Sequence, residues 1–532
     1  MNYIKIIIYW IIAILIVNPI GEFPLNDDWA YTKNVQYFLD SGHFVFVDWS
    51  AMTLVSQLLI ASFFCKIFGF SFTLLRIITI CIGLIGVLLT YKISLNITSN
   101  KKIALFSSLV IASNPIFFVL SNTFMTDVYF FTFSLITIYF FERFFATEKI
   151  YFLIIATIFS IVATMTRQIG VLLPLSFILI HLVKFKNLKI STLFKISLPF
   201  LLTFAALFSF NKWFEQTQLN QTTYISFKNL ISSINFKIFE RSFNRIGTTI
   251  FTLSFFLSPL LLLFFPLVKN NILKKENRLV SLFSFIFLIP VLRAWSLVPI
   301  NNVMYNLGLG PKLLKDSYLL KTYNYPVLND AILILIKVVC IICSFILIFT
   351  ILTFIKKAKK STLEKINQNK LSHFSLIYSA LVFCTFVIPI FFFDRYIIQL
   401  LIPFILILVS FNLEIRGKKA YISILTICVF SIFSIGLSHD YLAWNKARWR
   451  GLNFLTENQN ISPKNIDGGF EFNAYNQTST IQNNTKKSWW FVNDDTYLVS
   501  FTEIEGYKTI KLFEYYQYIP FEKKYIHVSK KI

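Results

Sequence analysis

Apolar residues run along the chain in long blocks separated by short polar breaks. Thirteen blocks approach the length of a bilayer-spanning helix, about 20 residues. They lie near 4–19, 73–91, 103–120, 128–141, 150–165, 170–183, 192–210, 248–268, 279–298, 328–354, 372–393, 396–411 and 420–437. The blocks at 128–141 and 170–183 are short, so their ends are expected to extend into flanking polar residues. The first lacks a small-residue cleavage site and reads as a retained anchor. This pattern predicts an α-helical polytopic membrane protein with about 13 transmembrane helices over 1–437. The tail, 438–532, opens with the helix-like WNKARWRGLNFL and continues in aromatic, strand-like segments. It predicts a small C-terminal α+β domain.

The break between the first two blocks, 20–72, is long enough for structure of its own. Its NDDWAYTKNVQYFLDSG reads as a helix, with Asn26 or Asp27 as cap and Gly42 as terminator. The stretch 53–69 is amphipathic and is expected to lie along the membrane face. Two further polar and aromatic loops are expected at 211–247 and 299–327.

Composition supports the pattern. Apolar residues make up 56% of the chain and charged residues 14%, against about 25% charged in a soluble domain. A water-soluble enzyme and a disordered chain are both excluded as first readings. The net charge of +24 raises nucleic acid as a partner, but its distribution removes that reading. With the N-terminus inside, most surplus Lys and Arg fall on cytoplasmic connections, and the opposite loops balance near zero. The positive charge is a topology signal, and the odd number of spans places the tail outside the cytoplasm. The six cysteines lie in apolar blocks and indicate no disulfide framework.

Charges near membrane helices need a reason. On the outer side, Asp27 and Asp28 lie in the first loop, Asp127 between the third and fourth blocks, and Arg167 between the fifth and sixth. Asp394 and Arg395 lie between the eleventh and twelfth, and Arg76 and Arg293 sit near the same edge. Taken singly, each has a plain structural role: Asp27 or Asp127 as helix caps, Arg395 paired with Asp394, Arg76 snorkelling to the headgroups. Together they offer general-base carboxylates and phosphate-binding guanidiniums at the depth where a lipid-linked phosphate presents itself. Carboxylates can also hold a divalent metal, which leaves a metal possible. This chemistry suits sugar transfer from a polyprenyl phosphate. A transporter or flippase for lipid-linked sugars is the alternative, as is a glycan-recognition role for the aromatic tail with Trp489 and Trp490. Neither a visible repeat nor midplane charges favour transport.

At these residues the chain resembles the GT-C membrane glycosyltransferases, in the branch of protein O-mannosyltransferases and lipid A aminoarabinose transferases. NDDWAY…FLDSGHFV resembles their first-loop pattern, and KIFGFSFTLLRIITICIGLIG their entry into the second span, with Arg76 at the matching arginine. NPIFFVLSNTFMTDVYFF resembles the junction bearing a second acid, here Asp127, and FDRYIIQLLIP a late-helix pattern. The resemblance implies a GT-C-like fold. It also implies inverting transfer of a hexosyl or pentosyl group from a polyprenyl-phosphate carrier to an extracytoplasmic hydroxyl of a lipid, glycan or protein. It makes Asp27 the catalytic candidate, Asp28 the weaker one, and Asp127 the second acid. Arg76, Arg167, Arg293 and Arg395 are the expected donor-phosphate contacts. The expected location is a bacterial cytoplasmic membrane with the site and the tail outside. Relatives often carry a Lys-Pro-Pro-Leu-type run before the interfacial helix. DWSAMTLVSQ stands in its place, so no phosphate contact is carried over from it.

Overall fold

The computed structural model describes residues 2–184, 190–217, 237–293, 298–300, 302–306, 330–360, 370–386, 392–411, 413–476, 491–492 and 494–532. Trp489, Trp490 and most of the loops expected at 211–247 and 299–327 lie outside the described residues. Each of the thirteen apolar blocks corresponds to helix. The first seven are α1 (Asn2–Val17), α4 (Phe72–Thr98), α5 (Lys101–Ala112) with α6 (Pro115–Ser121), α7 (Thr126–Thr147), α8 (Ile150–Thr164), α9 (Leu172–Lys184) and α10 (Ile190–Thr217). The other six begin with α11 (Lys237–Phe256), which continues through α12 (Ser258–Leu261) and α13 (Phe265–Asn271). Then come α14 (Arg278–Leu292), α16 (Asp330–Lys360), α17 (Lys370–Phe386), α18 (Ile398–Val409) and α19 (Lys418–Asn453). Among the described residues five helices are long and apolar enough to cross a membrane alone, and two bent pairs bring the number to seven. The others are shorter.

One bend positions the site. Between α5 and α6 the chain turns by 65°. Asn114 causes it: its side chain accepts from the Phe117 amide at 3.0 Å, and Pro115 takes the first position of the new helix. Proline fits there because that amide has no intrahelical partner. The turn carries the 122–126 junction, and Asp127 after it, into a fully buried environment.

The first loop forms the two expected helices, α2 (Asp28–Ser41), ended by Gly42 at φ +71°, and α3 (Val55–Phe68). Segment 53–56 is bonded to the end of α8: Thr53 Oγ1 donates to the Thr164 carbonyl at 2.8 Å, and the Leu54 amide to that of Thr166 at 3.3 Å. These bonds fix where Arg167 emerges.

The tail domain is built on α19, which runs unbroken for 36 residues out of the last apolar block. A four-stranded sheet packs on its far half in the order β1-β2-β4-β3: β1 (Ile466–Asp467), β2 (Tyr497–Ser500), β3 (Tyr507–Tyr518) and β4 (Phe521–Lys531). β1 and β2 pair parallel and the other neighbours antiparallel. Gly451 of α19 lets the sheet approach, since a Cβ there would lie 2.8 Å from Val528 Cγ2. A short helix, α20 (Phe470–Tyr475), reaches back from this domain to the first loop. There Phe470, Ala474 and Phe491 join Trp29, Ala30 and Trp49 in a small separate core.

Candidate active site

Asp27 stands at the start of α2, but its side chain does not cap the helix. Asn26 before it adopts φ +56°, a left-handed turn that Asn tolerates better than most residues. The carboxylate turns inward instead. Oδ2 lies 2.9 Å from an Arg395 guanidinium nitrogen, and Oδ1 accepts from the Trp49 indole at 2.9 Å. Asp127, in the first turn of α7, forms a buried ion pair with Arg167. Its second oxygen, Oδ2, has no hydrogen-bond partner among the described residues, nor does Arg395 Nε. The Tyr396 ring lies beneath both guanidiniums, 5.4 Å from that of Arg167 and 6.0 Å from that of Arg395.

The two ion pairs form one cluster. Tyr31, one turn after Asp27 on the same helix face, is electrostatically coupled to Asp27, Arg395, Arg167 and Asp127 together. Burial, foremost, raises its phenol above the ordinary value. Burial alone would lower the Arg395 guanidinium; the carboxylates of Asp27 and then Asp127 outweigh it and hold it above its usual range. Two acids, two guanidiniums and a phenol from four separate stretches thus meet in a low-dielectric site, where charges interact strongly. Tyr31 and Trp49 escaped the sequence reading. The four-residue spacing from Asp27 was the available signal for Tyr31, and nothing local marked Trp49.

Other expected site residues lie elsewhere. Asp28 is buried and accepts the Leu25 amide at 2.5 Å and the Phe124 amide at 3.1 Å, joining the first loop to the α6–α7 junction. Burial, foremost, pushes its carboxyl up to about 7, against the pull of Arg76 and the two amides. Arg76 does not reach out for a phosphate. It donates to the Pro19 and Gly21 carbonyls at 2.8 Å each, and to that of Phe23, clamping the start of the first loop. A chain leaving α1 presents unpaired carbonyls there, and a guanidinium satisfies several at once. Arg293 is exposed at the end of α14, over the Phe243 ring, and is not part of the cluster. Asp394 does not pair with the Arg395 side chain. It accepts the amides of Val303 and Met304 at 2.9 and 2.8 Å, at the start of the short helix α15 (Val303–Asn306).

The tail reaches the same site. Glu471 of α20 accepts the Asn26 amide at 3.1 Å, and its other oxygen lies 2.7 Å from Arg448 of α19. A buried ion pair of the C-terminal domain therefore holds the residue that precedes Asp27. Among the described residues no three His, Cys, Asp or Glu gather to hold a metal ion. The acids of the cluster face arginines rather than each other.

Residues 55–213 match the family model described as dolichyl-phosphate-mannose-protein mannosyltransferase. The matched segment agrees with the resemblance carried by the motifs. It includes Arg76, Asp127 and Arg167; Asp27 precedes it and Arg395 follows it. No match was found among curated proteins. Among solved structures the chain is similar to ArnT from Cupriavidus metallidurans bound to undecaprenyl phosphate, at 11% identity and TM-score 0.45, covering 99% of this chain and 98% of that one. It is also similar to the oligosaccharyltransferase AglB from Archaeoglobus fulgidus in complex with an inhibitory peptide and a dolichol-phosphate, at 14% identity and TM-score 0.42, covering 91% of this chain. The chain spans 61% of the length of that relative.

Proposed function

We propose that this protein is an inverting glycosyltransferase. It moves a sugar from a polyprenyl-phosphate carrier to an acceptor hydroxyl outside the cytoplasm, in a bacterial cytoplasmic membrane. The observation that carries the reading is the Asp27–Arg395 pair, buried beside the Asp127–Arg167 pair. A carboxylate poised against a guanidinium is inert as a base until the guanidinium is drawn elsewhere. A donor phosphate does this: Arg395 turns its charge to the phosphate oxygens, and Asp27 is released toward the acceptor.

In the reaction, Asp27 takes the acceptor hydroxyl proton as the oxygen attacks the anomeric carbon. The bond from that carbon to the phosphate oxygen breaks, and the carrier leaves as polyprenyl phosphate. Arg395 holds the charge that grows on the leaving oxygen. One displacement inverts the anomeric centre. Asp127 orients Arg167, and its unpartnered Oδ2 accepts from the acceptor or the sugar. The Trp49 indole holds the Asp27 carboxylate in position. The acceptor is a lipid, glycan or protein.

The test is mass spectrometry of envelope lipids and polysaccharides from cells lacking the protein, complemented with the wild-type or the Asp27→Asn chain. The expected result is a glycosylated product restored by the wild type only, at equal membrane levels of both chains. Full restoration by Asp27→Asn removes Asp27 from the mechanism.

A further inference from the structure

The β3–β4 hairpin points back toward the membrane, and two contacts with α19 give its direction. Along the strands, Gly451 of α19 packs against Val528 and Phe513. At the turn, a Cβ on Gly436 would lie 2.5 Å from Ile519 Cδ1. The Asp440 carboxylate accepts the amides of Tyr518 and Ile519 at 2.7 and 3.0 Å, beside the His439 ring, which stacks on Tyr518 at 3.6 Å. From Gly436 to Gly451 the helix climbs about 22 Å, and from Ile519 back to Phe513 the strand climbs about 20 Å. The two lengths agree, so the hairpin runs alongside α19 with its turn at the end nearer the last apolar block.

That end coincides with the edge of the bilayer. The last apolar block closes at 437, and Ile432, one turn before Gly436, is 66% exposed, as a lipid-facing residue is. Cross-strand partners share one face of a sheet. Tyr516 opposes Lys523, Tyr518 opposes Phe521, and Glu514 opposes Tyr525. All six lie on the opposite face from Tyr515 and Gln517, which are buried. Phe521 is 81% exposed, Tyr516 51%, and Tyr518 and Tyr525 40% each. The charges around these rings cancel: Lys523 pairs with Glu514 at 2.6 Å and Lys524 with Glu522 at 3.2 Å. What the hairpin presents is therefore aromatic rather than charged, at the level where Tyr and Trp concentrate in membrane proteins.

We propose that this hairpin anchors the C-terminal domain to the membrane surface. Its partner is the headgroup layer of the adjoining leaflet, irrespective of headgroup charge. Tyr518 and Phe521 seat at the boundary between headgroups and acyl chains. Tyr516 stands about 7 Å higher, still within a headgroup layer about 5–8 Å deep. The Phe521 ring supplies apolar burial, and the phenols keep their hydroxyls among the headgroups. Because the neighbouring charges are paired with one another, neither salt nor anionic lipid is needed for the contact. The proposal requires only that α19 crosses the bilayer. It uses no residue of the proposed reaction, so the two readings fail separately.

The test is photolabelling of the full wild-type chain in phosphatidylcholine nanodiscs, with a small fraction of the lipid carrying a diazirine at the glycerol end of one acyl chain. Carbene adducts are mapped by peptide mass spectrometry. Tyr518 or Phe521 should be labelled at least roughly threefold more than 497–500, the strand that pairs with the far end of β4. A hairpin marked no more than 497–500 overturns the proposal. In phosphatidylglycerol nanodiscs the hairpin yield should change by less than about twofold. A yield that appears only with phosphatidylglycerol would make the hairpin an anionic-lipid site, which also overturns it. Phe521→Asp sets a charge at the same depth on an exposed position, and should cut the adducts on Tyr516 and Tyr518 by at least roughly threefold. Undiminished labelling of those tyrosines would mean that the turn does not sit in the headgroup layer.

Discussion

Asp27 and Asp28 are neighbours with the same side chain and opposite surroundings. Asp27 meets a guanidinium and an indole. Asp28 meets two backbone amides and a hydrophobic interior. A carboxylate held by mobile side chains can change partners when a ligand arrives; one held by main-chain amides cannot without unfolding its loop. Both aspartates sit in helical backbone at the start of α2, where consecutive side chains point about 100° apart and so reach different elements. Chemistry is thus expected at the first position and architecture at the second.

The largest expected effect breaks the comparison at Asp27. Asp27→Asn should lower kcat by about 10²–10⁴-fold, the usual worth of a general base, and should itself cost stability, because it leaves the buried Arg395 guanidinium without its carboxylate. A kcat within threefold of wild type, in the same detergent, would mean that the base lies elsewhere. Next is Arg395→Leu, which strands a buried carboxylate and should cost about 3–5 kcal/mol of stability. Asp27→Asn added to it should recover part of that loss, read as a rise in Tm of the double variant over the single one.

Glu471→Gln comes third. It removes the charge that holds Arg448 and weakens the grip on the Asn26 amide, at a cost of about 1.5–3 kcal/mol. If the tail positions Asp27, kcat should fall while KM for the donor stays near wild type. A change in KM alone would count against that coupling.

The smallest effects are at Asp28. Asp28→Asn keeps one acceptor oxygen and should cost about 1–3 kcal/mol while kcat is largely retained. Its pH dependence sharpens the contrast. The folded chain holds the Asp28 carboxyl up to about 7, from an ordinary 3.8, chiefly by burial. A raised carboxyl favours the folded state while protonated, so its contribution is full below 3.8 and is lost as pH rises to about 7. The thermal stability of wild type should fall, as pH rises over that window, relative to Asp28→Asn. Parallel Tm curves for the two chains would contradict the assignment.

The helices were legible because lipid imposes long apolar blocks, and the cluster because its members sit in the polar breaks between them. Asp127, Arg167 and Arg395 each occupy a turn too short to hold them anywhere but the domain side of the bundle. What stayed hidden has the opposite character. Arg76 looked like a phosphate ligand because its sequence neighbours are apolar; its true partners are carbonyls more than 50 positions earlier. Asp394 resembled a partner for Arg395 by adjacency, but its oxygens serve a helix start some 90 positions before it. Glu471 reaches Asn26 across 445 positions, and no local pattern encodes such a pairing.

The unbroken α19 has a mechanical consequence. At about 1.5 Å per residue it is a rod of roughly 54 Å, with one end in the bilayer and the other beneath the sheet. Without a hinge along that shaft, the C-terminal domain cannot swing as a lid on a flexible stalk. Any displacement of α20 from the first loop must tilt the last span itself, so lipid thickness and lateral pressure become levers on the geometry around Asp27.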